Sequence, residues 1–136
     1  MEYGIQRLHE APVEPCPGTE PEEILTFHFV TFLNTMWRNR MVVRMIVSAT
    51  VSDTTAVEDL KLFDAGPRER LHNLMLGFEE SARIRSGTAA PASQIFASAL
   101  GGFLFYCLRS EPEDWATERD RFVSHLINLV VPGLRV

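Results

Sequence analysis

The sequence predicts an all-α fold, an antiparallel bundle of five to six helices, and three observations lead there. No run of four to eight residues alternates apolar and polar in the manner of a half-buried strand. Apolar residues recur instead at three- and four-residue intervals along most of the chain. The stretch Ala92 to Leu108, ASQIFASALGGFLFYCL, is apolar nearly all round, which describes a helix covered on both sides. With 136 residues, 46% hydrophobic and 23% charged, the chain has the composition of one ordinary globular domain. A domain of that size buries roughly two thirds of its unfolded surface.

In chain order, residues 1–11 carry Tyr3, Arg7 and Leu8 at helical spacing and read as the tail of a longer helix. Pro12, Pro15, Pro17, Gly18 and Pro21 make the next ten residues a loop. The chain therefore divides into residues 1–20, a residual connecting helix and proline-rich loop, and residues 21–136, the folded domain. Thr19 reads as an N-cap, followed by Pro21 in the first turn and by Glu22 and Glu23 at the positive end of the helix dipole. From Ile24 to Trp37 two neighbouring stripes, one of Ile24, Phe27, Leu33 or Val30, and Trp37, and the other of Phe29, Phe32, Leu33 and Met36, make a wide apolar face.

Arg38, Asn39 and Arg40 form a polar corner. A helix from Met41 to Val51 then turns Val42, Met45, Ile46 and Ala49 inward. Thr54 to Phe63 is amphipathic, and Gly66-Pro67 is expected to break or bend the chain. Leu71, Leu74, Met75, Phe78, Ala82 and Arg85 mark a helix from Arg68 to Arg85, ended by Gly87 as a left-handed cap. After the apolar helix and a turn at Arg109 to Pro112, the last helix opens at Glu113 and Asp114. Trp115, Phe122, Leu126 and Leu129 lie along one face, with Val123, Ile127 and Val130 beside it, and Pro132-Gly133 stops it.

Charge excludes one class of function. The first 23 residues hold six acids against Arg7, and the remaining 113 balance at twelve acids and twelve bases, so no basic face for phosphates exists. This chain alone is expected not to bind DNA. Cys16, in the proline-rich loop, and Cys107, in the apolar helix, form no disulfide framework and suit a reducing cytoplasm. The opening MEYGIQRLHE lacks the apolar run of a signal peptide. A membrane span at residues 89–108 falls short, because Pro91, Ser93 and Gln94 leave about fourteen strongly apolar residues where ~18 are usual.

The order of elements resembles a known family. An acidic, proline-led aromatic helix is followed by a second apolar helix and a long helix ending ARIRSGTAAP. Then come FASALGGFLFYCLRS and a closing DRFVSHLINLVVPGL. This pattern, from about Ile24 to Leu134, is similar to the C-terminal ligand-binding and dimerisation domain of the tetracycline-repressor (TetR) family of transcription regulators. The match lies in pattern and order. The family's N-terminal helix-turn-helix domain has no counterpart here, so no DNA-reading residue is carried over. The resemblance implies an apolar cavity for a small effector and a homodimer built by the last two helices of each subunit. DNA would be reached only through the absent head, and no membrane is implied.

The residues themselves point the same way for the dimer. The apolar helix has no polar face, and Ala97/Gly101 and Ser98/Gly102 put small residues one turn apart, where another helix can approach. The expected seam is Ser98, Gly101, Gly102, Phe105, Phe122, His125, Leu126 and Leu129. Candidate ligand-binding residues are Phe29, Phe32, Leu33, Met36, Trp37, Met45, Leu74, Met75, Phe78 and Phe103, since aromatic and methionine side chains suit an adaptable apolar cavity. The plain alternative is that they only fill the core. His28, Asn34, Ser48, His72 and Glu79 are polar candidates, and Arg38, Arg40 and Arg44 suit an effector carboxylate, a solvated corner or the face that would touch the absent DNA-reading domain. The four histidines are scattered and no cysteine has a partner at metal-ligand spacing, so neither a metal, a cofactor nor an enzyme activity is expected. The competing reading is a stand-alone helical dimer that partners a full-length regulator.

Overall fold

The computed structural model describes residues 18–52 and 56–136, with side chains outside residues 49–64. Five helices follow one another: α1 (Pro21–Arg38), α2 (Arg40–Ser52), α3 (Ala56–Glu80), α4 (Ala89–Ser110) and α5 (Trp115–Leu134). Among the described residues there is no strand, as the apolar periodicity requires. The expected connecting helix, most of the proline-rich loop and Cys16 lie outside the described residues.

Helix α1 touches α2, α4 and α5, while α4 packs most extensively on α3 and α5 on α1. The buried line of α1 is Leu25, Phe29, Leu33 and Met36, which is the second expected stripe with Leu25 added and without Phe32, which is only half-buried. Leu25, Phe29 and Leu33 meet Leu71, Met75 and Phe78 of α3, Phe96 and Leu100 of α4, and Val123, Ile127 and Val131 of α5 in the main core. A smaller cluster of Met36, Val43, Ile46 and Leu104 joins α2 to the end of α4.

Several helix ends differ from expectation, each for a local reason. Glu20, not Thr19, is the N-cap of α1, and it makes no side-chain capping bond; Pro21 at the first position needs no donor. Helix α3 runs through Gly66-Pro67 without a break. A proline inside a helix costs about 3 kcal/mol or more, and the buried residues after it, Leu71, Met75 and Phe78, hold the helix in register.

The same helix stops at Glu80, short of Arg85. Ala82 takes the left-handed conformation at φ 59°. The Ala82 N–H donates to the Glu79 carbonyl at 3.0 Å and the Arg83 N–H to the Phe78 carbonyl at 2.9 Å. This is a Schellman cap with alanine where glycine is usual, and the Arg83 guanidinium covers the Phe78 ring. Gly87, at φ 84°, serves the following turn instead.

Helix α4 begins at Ala89, earlier than its apolar run, with Pro91 in the first turn. Helix α5 starts after Asp114, whose carboxylate accepts from the Thr117 N–H at 3.1 Å. It continues past Pro132-Gly133 to Leu134, because Leu134 is buried in the main core. The Arg85 N–H donates to the Leu134 carbonyl at 2.7 Å and its guanidinium donates to the Gly133 carbonyl, satisfying the orphaned helix end.

Candidate functional site

Helix α4 buries Ala92, Ser93, Phe96, Leu100, Leu104 and Cys107 along one line. That line turns Ile95 outward and Leu104 in. Ile95, Phe105 and Tyr106 are left on the exposed side, together with Ser98 and Gly102. On α5, Leu129 is 82% exposed and His125 stands open one turn before it. Large apolar side chains in this number on adjoining helices form a surface of the kind that marks interaction sites.

Of the expected seam, Ser98, Gly102, Phe105, His125 and Leu129 are exposed and Gly101 is partly so. Leu126 is a correction: it is buried in the subunit's own core, because α5 turns Val123, Leu126 and Ile127 toward α1 and α4. Phe122 is also occupied, its ring stacked on Phe103 at 4.2 Å and 5°. A Cβ added to Gly101 or Gly102 would meet nothing within 4 Å. Nothing among the described residues calls for their small size, although each glycine costs a helix interior about 1 kcal/mol relative to alanine.

The expected ligand-binding residues divide in three. Phe29, Leu33, Met75 and Phe78 are buried together in the main core, with Phe29 and Phe96 rings 4.9 Å apart, and Met36 lies in the smaller cluster. Phe32 and Leu74 pack on the flanks of the main core, half-buried. Met45 is a second correction: it is 59% exposed, because α2 buries Val43 and Ile46 and this turns Met45 to the outside. Trp37 and Phe103 belong to an arrangement that periodicity could not show.

Trp37 and Trp115 stack at 4.4 Å and 7°, Phe103 lies 5.8 Å from Trp115, and Phe122 continues the column. The Arg40 guanidinium caps it, 5.0 Å from the Trp37 ring centre. Asn34 pins the column from the side: its Oδ1 accepts from Trp115 Nε1 at 3.3 Å and from Arg119 Nη1 at 2.6 Å. The column ties the end of α1 to α4 and to the start of α5. Its members come from opposite ends of the chain, and only the abundance of aromatic residues hinted at it.

Two described pockets lie elsewhere. One of about 500 Å³ opens between Thr19, Glu20, Pro21, Ala82, Arg83, Arg135 and Val136. The other, about 240 Å³, is a crease between α1 and α5 over Val30, Val123 and Ile127 with a polar rim. Neither is lined by an expected ligand-binding residue.

Among the polar candidates, His28 is half-buried, and burial, then the nearby Arg70 charge, lowers its pKa from 6.5. Arg44 donates to the Leu108 carbonyl at 3.2 Å and pairs with Glu111 at 3.0 Å. Glu79 accepts from the Gly87 N–H and so holds a turn. His72 is half-buried and Ser48 exposed. Cys107 is enclosed, and its burial pushes the thiol pKa up, the reverse of an activated nucleophile. Among the described residues no group of three or more His, Cys, Asp or Glu is placed to hold a metal ion.

Helix α4 is long and apolar enough to cross a membrane by length and composition, a test that the core helix of a soluble protein also passes. Here one side of it forms the bundle core. No family model matches the chain, and no curated protein or solved structure is significantly similar to it.

Proposed function

We propose that this chain is the dimerisation and effector-sensing module of a regulator of the TetR type, acting in the cytoplasm. One observation carries the reading: α4 exposes Ile95, Phe105 and Tyr106 on the side that holds Gly102, α5 exposes Leu129, and no described neighbour requires Gly101 or Gly102 to be small. A second copy, applying the same two helices, would cover this surface with a self-complementary contact. An effector would act by binding one arrangement of the two subunits better than another, since a ligand shifts an equilibrium only by its differential affinity. In a full-length regulator that shift would move DNA-reading heads.

The stand-alone dimer reading has its own support, because the expected effector-binding residues other than the exposed Met45 pack into the core or the aromatic column, and none of the ten lines either described pocket. Sedimentation of the wild type and of Leu129→Glu with Tyr106→Glu tests the shared claim. A dimer that dissociates in the double variant is expected, and a wild-type monomer at high concentration would refute it. Thermal-shift screening with apolar metabolites separates the two readings. Stabilisation supports the sensor, and a flat response across the set leaves the interaction module.

A further inference from the structure

We infer that the corner between α1 and α2 docks an acidic amphipathic helix of a partner protein. The stretch from Ile24 to Ser52 contains Arg38, Arg40 and Arg44 and no acid at all, in a chain whose net charge is −5. Arg44 is neutralised by Glu111. Arg38 and Arg40 are exposed, and among the described residues neither has a carboxylate partner. Arg40 is nevertheless held in place, with Nη1 donating to the Trp37 carbonyl at 3.0 Å and the guanidinium resting on the Trp37 ring. An arginine fixed this way has already lost much of the rotamer freedom that a partner would otherwise have to restrict.

Beside these charges stand Met41, 68% exposed, and Met45, one turn further along α2. Residues four apart share a helix face, so the two thioethers form a short apolar row next to the row of Arg40 and Arg44. Methionine adapts its shape to a partner. The complement of this surface is a helix with apolar side chains one turn apart and carboxylates beside them. A second copy is a poor fit, because a two-fold contact here would set Arg38 and Arg40 against their own counterparts. Two free guanidiniums on an acidic protein also fall short of the basic stripe that nucleic acid requires.

The test is fluorescence anisotropy of the full chain with a labelled acidic helical peptide carrying leucines one turn apart. A peptide of the same composition with its leucines scattered round the helix, a DNA duplex and phosphatidylserine vesicles serve as competing probes. The patterned peptide is expected to bind best and to weaken with added salt. Met41→Ser with Met45→Ser, and separately Arg38→Gln with Arg40→Gln, should each weaken it by about tenfold. All four positions are exposed, so circular dichroism should show both variants folded, and each double variant stands as a test by itself. Absence of binding, equal binding of the scattered peptide, wild-type affinity in either variant, or tighter binding of DNA or vesicles would each overturn the inference.

Discussion

On the inner side of α4, Phe96 is fully enclosed against Phe29, and Leu100, Leu104 and Cys107 continue the buried line. On the outer side of the same helix, Ile95, Phe105 and Tyr106 are as apolar and stand in the open. Composition does not distinguish the two sides; what distinguishes them is whether the chain itself supplies a neighbour. The inner side is bound to the stability of the subunit. The outer side, with Ile95 51%, Phe105 40% and Tyr106 58% exposed, buries less and contributes less to that stability.

The comparison can be broken most sharply at Phe96. Phe96→Ala should cost about 3–5 kcal/mol in chemical denaturation, because it removes a fully buried ring and leaves a cavity. A loss below about 1 kcal/mol would mean that the inner side is no better packed than the outer.

Gly102 sharpens the other half. Gly102→Leu should disrupt self-association by steric clash at the seam, read by sedimentation, and Gly101→Leu should do the same. In dilute, dissociated protein, Gly102→Ala should raise stability by about 1 kcal/mol, since the added methyl meets no neighbour and glycine is the poorer helix former. An intact dimer in both leucine variants would separate the glycines from the seam.

The smallest effect concerns proton binding on α1. Burial, followed by Arg70, holds His28 below its ordinary value of 6.5, so the unfolded chain binds this proton more readily than the folded one. Its contribution is fully present above that ordinary value and is lost as pH falls through the lowered one. Between about pH 7 and about pH 5 the melting temperature should therefore fall more steeply for the wild type than for His28→Gln. Parallel curves would place His28 in water.

The helices and their inward residues were legible where local periodicity governs. Phe29, Leu33 and Met36 on α1, Leu71, Met75 and Phe78 on α3, and Val123 and Ile127 on α5 all lie inside, as their spacing requires. Helix ends were read less well, because Gly and Pro signals are only local preferences. At Pro67 and Pro132 burial of the residues beyond the proline outweighs them, and at Ala82 the chain turns without the glycine that would announce it. Met45 and Leu126 each share a stripe with residues of the opposite fate, and stripe membership alone could not place them.

From the sequence by itself come the helical class, the order of the elements, the balance of charge beyond residue 23 and an apolar helix without a polar face. These follow from side-chain spacing and charge, which are properties of neighbours in the chain. Only the tertiary structure decided which side of α4 is covered, that Trp37 stacks on Trp115, and that Asn34 holds Trp115 and Arg119. Those contacts join residues some eighty positions apart. Their geometry depends on how whole helices dock, and no repeat along the chain encodes it.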